Sequence, residues 1–162
     1  MKKELPVRKH IRLEGYDYSK SGYYFITMCV KGGHEILWDC PFVGARIARP
    51  PLSAQGDIVR AAIEHIPQVY SSVEIDNYVV MPNHVHMLVV LHKVGGRAMR
   101  APTISRIVNQ MKGYVTKQLG YPIWQKLFHD HVIRSEEEYQ KIWTYIENNP
   151  ATWTEDCYHK NK

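Results

Sequence analysis

"VEIDNYVVMPNHVHMLVVL", residues 73–91, reads as two β-strands joined through Pro82-Asn83. Both runs are rich in β-branched residues, and the Pro-Asn step between them is a hairpin signal. The second run carries two histidines. Successive side chains on a strand alternate between faces, so His84 and His86 share one face while Val85 and Met87 take the other. Burying two imidazoles without partners costs roughly several kcal/mol, the polar-burial penalty taken twice. Something on that face must bind them, and rings at this spacing can share a metal ion. Two histidines leave positions open for a third ligand, water or substrate oxygens, as a catalytic metal requires. They are expected to face one shallow, open site.

The flanking segments supply the rest of the fold. "YYFITMCV" (23–30) is a β-branched and aromatic strand. "IVRAAIEHIPQVY" (58–70) places apolar residues at helical spacing, with Asp57 as a candidate cap and Pro67 ending it near the last turn. "TISRIVNQMKGYVTKQLG" opens at Thr103 and closes at Gly120. "LFHDHVIR" (127–134) is a fourth strand, and Ser135 caps a last helix over about 135–149 that Pro150 stops. The order β-α-β-β-α-β plus a terminal helix predicts an α+β fold, the ferredoxin-like split βαβ antiparallel sheet. The third strand is central in that topology, so the histidine pair sits mid-sheet. His129 and His131 fall on an edge strand, where exposed rings cost little. The whole of 1–162 is expected to be one domain, with a flexible loop at about 40–56.

Composition narrows the classes. Apolar content of 44% and charge of 23% suit a soluble globular chain. The longest apolar run, MLVVL, is far too short to span a bilayer, and the basic start lacks an apolar signal core. No membrane association is expected. Cys29, Cys40 and Cys157 show no paired-ligand spacing and read as free thiols of a reducing cytoplasm. Net charge is +5. Arg8, Lys9 and Arg12 crowd the start, Arg97 and Arg100 flank a Gly-rich loop, and Arg106 and Lys112 follow on a helix. Aromatics interleave with them, the mixture that neutralises phosphate and stacks bases. A solvated basic face over core aromatics has the same composition. No HExxH helix, GxSxG elbow or P-loop is present.

A nucleophile has two candidates on helices. Tyr114 stands one turn before Gln118, and Tyr145 one turn before Asn149. Each pair places a phenol and an amide on one helix face, and spacing alone does not choose between them.

"VVMPNHVHMLVVL", followed by "WQKLFHDHVIRSEEEYQKIWTYIENNPATW" and preceded by "GYDYSKSGYYFITMCV", resembles the REP-associated tyrosine transposases. These are relatives of single-tyrosine insertion-sequence transposases in the HUH (His-hydrophobic-His) endonuclease superfamily. The resemblance covers nearly the whole chain. It implies that His84 and His86 are the metal pair and Tyr145 the nucleophile on the terminal helix. The family's polar residue one turn beyond the tyrosine falls on Asn149, as third metal ligand, with Asn148 and Gln118 as substitutes. The implied activity is Mg²⁺- or Mn²⁺-dependent cutting and joining of single-stranded DNA beside a hairpin, through a 5′-phosphotyrosine. The implied setting is the bacterial cytoplasm, on the nucleoid when DNA is bound, as a monomer or homodimer. The alternative is a ferredoxin-like nucleic-acid-binding module without cleavage, either an inactive transposase relative or an RNA or single-stranded DNA binder.

Overall fold

The structure, a computed structural model, describes residues 15–39, 50–93 and 102–159. Strand β1 (Gly22–Cys29) leads to helix α1 (Ala54–Val69), the hairpin β2 (Val73–Val80) and β3 (His84–Leu91), helix α2 (Ile104–Leu119), strand β4 (His129–Ile133) and helix α3 (Glu136–Asn148). A 3-10 segment, Asn149–Glu155, follows. The sheet order is β2-β3-β1-β4, and every neighbouring pair is antiparallel. This is the ferredoxin-like split βαβ sheet, with β3 and β1 central as the element order predicts.

Side-chain alternation divides the sheet into two faces. Tyr24, Ile26 and Met28 of β1 and Val85, Met87 and Val89 of β3 turn to one side, where they form the main core with α1 and α2. His84, His86 and Leu88 turn to the other, with Phe25 and Thr27. Leu88 meets Ile146 and Ile133 there, so α3 roofs the second face. Trp38, Met81 and Trp153 make a further small core that seats the 3-10 segment.

The local signals hold with two adjustments. Thr103 caps α2 by accepting the Arg106 N–H, and Gly120 ends it in the left-handed region at φ 79°. Ser135 caps α3 by accepting the Glu138 N–H at 3.2 Å. Helix α1, however, is capped by Ser53, which accepts the Gly56 N–H and donates to Ile36 O, and not by Asp57. Asp57 sits in the first turn, where its charge suits the helix dipole and pairs with Arg60 at 2.9 Å. The expected loop at 40–56 is shortened because α1 begins at Ala54; residues 40–49 lie outside the described residues. Pro67 is accommodated in the last turn, and α1 ends two residues later at Val69.

Candidate active site

His84 and His86 lie on one face of the central strand, with Nε2 atoms 3.0 Å apart. The neighbouring hydrogen bonds fix the first ring. Asn83 Nδ2 donates to the carbonyls of Tyr158 and Gly33, so Asn83 Oδ1 faces His84 Nδ1 at 2.8 Å. An amide oxygen only accepts, so His84 carries its proton on Nδ1 and presents a lone pair at Nε2. His86 is oriented by Thr27 Oγ1, 2.8 Å from its Nδ1. Burial pushes both imidazoles down to about 3, helped at His86 by its neighbour and opposed there by Asp156. Both rings are therefore neutral at physiological pH, which is the metal-binding form.

The site is not the shallow, open one expected from sequence. His84 is 0% exposed and His86 2%. The cover is the chain after α3: Trp153 and Tyr158 lie tilted over His84 at ring distances of 5.8 and 4.5 Å. That cover is not a dry apolar core, because it brings a carboxylate. Asp156, buried, groups with His84 and His86, each residue offering one ligand atom within 4.8 Å of the others. Its Oδ1 accepts the Tyr158 N–H at 2.7 Å, and its Oδ2 accepts Asn149 Nδ2 at 2.9 Å. Sequence reasoning passed over Asp156, which stands among polar residues in "TEDCYHK".

Asn149 is also buried at this site, and its Oδ1 has no hydrogen-bond partner among the described residues. An unsatisfied buried oxygen costs about 1–3 kcal/mol, a loss that a cation would offset. Two neutral imidazoles, a carboxylate and this orphaned carbonyl oxygen make a mixed nitrogen and oxygen donor set that fits a divalent ion such as Mg²⁺ or Mn²⁺.

Tyr145 projects from α3 into the same site. Its Oη lies 3.3 Å from His86 Nε2 and donates to Asp156 Oδ2, also at 3.3 Å. Phe25 fixes the ring edge-on at 6.2 Å and stacks on His86 at 5.1 Å. The phenol is 40% exposed, so it stands at the mouth. Burial and the Asp156 charge raise its pKa. Asn148, by contrast, is exposed, and its carbonyl accepts from Thr152.

The other candidates lie elsewhere. Tyr114 stacks on His65 of α1 in the helix layer, and Gln118 shares that helix, on the far side of the sheet. Arg106 is exposed at the start of the same helix. Lys112 is not a free surface cation. Its ammonium donates to the carbonyls of Gln125, Lys126 and Leu127 and sits over the Phe128 ring, and desolvation lowers its pKa. It latches the approach to β4. Arg8, Lys9, Arg12, Arg97 and Arg100 lie outside the described residues. His129 and His131 are on an edge strand, as expected, and pair with Thr27 and Phe25 on the site face. His131 Nε2 bonds Glu138 at 2.6 Å, tying β4 to α3.

No protein-family model matches the chain. An uncharacterized protein of Haemophilus influenzae is 34% identical over 169 aligned positions, covering 92% of this chain and 91% of that one. The solved REP-associated tyrosine transposase bound to a REP hairpin superposes with a TM-score of 0.61 at 23% identity, over 88% of this chain and 74% of that one. The chain thus belongs to one family with the Haemophilus influenzae protein, and its fold is that of the REP-associated tyrosine transposase.

Proposed function

We propose that this protein is a divalent-metal-dependent endonuclease and strand transferase for single-stranded, hairpin-flanked DNA, acting through a 5′-phosphotyrosine. One observation carries the reading: a half-exposed phenol, Tyr145, whose oxygen sits 3.3 Å from both a paired histidine and a buried carboxylate. The fold shared with a tyrosine transposase supports it, and that structure's bound hairpin supports the substrate.

His84, His86 and Asp156 would hold the ion, with Asn149 Oδ1 beside them. Mg²⁺ or Mn²⁺ bound there would supply charge stabilisation on the non-bridging oxygens of the scissile phosphate. Tyr145 Oη attacks phosphorus, the O–P bond forms, and the phenol proton passes to the Asp156 carboxylate that already accepts it. The P–O3′ bond breaks, and the 3′ oxygen takes up a proton from water to leave as a hydroxyl. One phosphodiester is exchanged for another, so a 3′-OH can reverse the step and join. The raised pKa of Tyr145 keeps the phenol protonated until the phosphate and ion are in place.

The decisive experiment incubates labelled hairpin single strands with the protein and Mn²⁺ and looks for a covalent adduct on a denaturing gel. Wild type and Tyr114→Phe form it; Tyr145→Phe and His84→Ala bind DNA but do not. DNA binding with no adduct under any metal would leave the binding-module reading in its place.

A further inference from the structure

A cavity of about 360 Å³ opens beside α3, lined by Tyr23, Ile133, Arg134, Ser135, Glu136 and Tyr139. It lies on the histidine face of the sheet, since Tyr23 stands two residues before Phe25 on β1 and pairs with Ile133 of β4. We propose that this cavity is a subsite for one unstacked base of the DNA strand, about one or two nucleotides from the phosphate presented to Tyr145. The proposal rests on the single-strand reading above.

Three features select a base. The first is an aromatic surface fixed in advance. Tyr23 is a large aromatic left 44% exposed, and its ring meets Tyr139 edge-on at 5.3 Å and 73°. Tyr139 is itself held, because its hydroxyl donates to Asp76 at 2.5 Å. Stacking on rings already fixed avoids much of the ordering cost of binding.

The second is distance. Two residues along a strand cover about 7 Å, and Phe25 already touches both Tyr145 and His86. Stacked nucleotides rise about 3.4 Å each and extended ones more, so this cavity is within a nucleotide or two of the nucleophile.

The third is the rim. Of the three acidic residues opening α3, Glu137 pairs with Lys141 and Glu138 bonds His131 and the Arg134 N–H. Glu136 gives one oxygen to Gln140 Nε2 at 2.8 Å and lines the cavity. A carboxylate accepts and never donates, so it repels phosphate and selects N–H donors. The exocyclic amino group of adenine, cytosine or guanine meets that need with two N–H donors at the base edge, whereas thymine has no amino group and offers only its ring N3–H. Arg134, at the same rim, suits the strand's own phosphate.

The test reads binding in a protein that cannot cut. Fluorescence anisotropy measures the full-length Tyr145→Phe protein on a synthetic DNA hairpin with short single-stranded flanks, an abasic site being moved one position at a time. One flank position should show a loss of about tenfold or more on removal of its base. In Tyr23→Ala on the same background, affinity falls by a similar factor and the abasic loss at that position disappears. Tyr23→Phe keeps both. Thymine there binds more weakly than the other bases, and Glu136→Gln levels the difference. Additive losses from Tyr23→Ala and the abasic site would overturn the subsite. If wild type still forms the covalent adduct in that case, the nuclease reading stands alone. Coupling without adduct is the reverse result, and no binding to the probe overturns both.

Discussion

Asp156 adds a third potential metal ligand to the pair of histidines, and its contribution can be isolated. Asp156→Asn should weaken Mn²⁺ binding by at least about tenfold, measured by calorimetry, and abolish adduct formation. Asn149→Ala should weaken it less, since Asn149 offers one neutral oxygen. A second consequence concerns acid. The folded-state pKa values of His84 and His86, about 3, lie below the ordinary 6.5. The metal-free folded protein therefore binds fewer protons than the unfolded chain, and the stability tied to these rings is full above about pH 6.5. It is lost as pH falls from there towards 3, by up to about 1.4 kcal/mol per unit for each histidine. Urea melts in chelator at pH 7.5 and 5.5 check this, and His86→Gln should flatten the slope. The histidine pair was legible in the sequence because strand alternation needs only a spacing of two. Tyr145 was separable from Tyr114 only through resemblance, and Asp156 was hidden, because a single acidic residue in a polar stretch carries no periodic signal.

At the scale of elements, α3 does the positioning. Its start is fixed by Ser135 and by Glu138, which accepts the Arg134 N–H and reaches His131. Ser135→Ala should cost about 1 kcal/mol in a denaturant melt and slow adduct formation more than it weakens DNA binding, since it frees the helix that carries Tyr145, the proposed nucleophile. Helix α1 offers a contrasting test. A methyl group on Gly56 would stand 2.1 Å from the Leu37 carbonyl oxygen, which is backbone and cannot swing aside. Gly56→Ala should therefore destabilise, by thermal melt, although alanine favours helix by about 1 kcal/mol. Strands and helices were readable to within a few residues because period and caps are local. Two features were not. The irregularity at Ile75/Asn77 that frees Asp76 to hold Tyr139 depends on pairing with β3. The 3-10 segment after α3 follows from Pro150 and from Trp153 finding Trp38, a contact between distant parts of the chain.

The molecule as a whole separates its tasks by face: α1 and α2 close the main core on one side, while α3 and the following segment build the site on the other. Charge acts at this scale. With a net charge of +5, affinity for single strands or hairpins should fall steeply and linearly in a plot of log affinity against log salt, and exceed that for plain duplex. Filter binding over a salt series checks both. Equal affinity for duplex would count against the proposed substrate.

The covering of His84 by Trp153 and Tyr158 has a consequence for biosynthesis. Among the described residues, the sheet has its four strands once Ile133 is made, and the main core draws on nothing later. The carboxylate at residue 156 and the rings around it leave the ribosome afterwards. A nascent chain with that sheet therefore still lacks the Asp156 carboxylate, and under the proposed function it gains the capacity to cut only once residues 149–158 have followed.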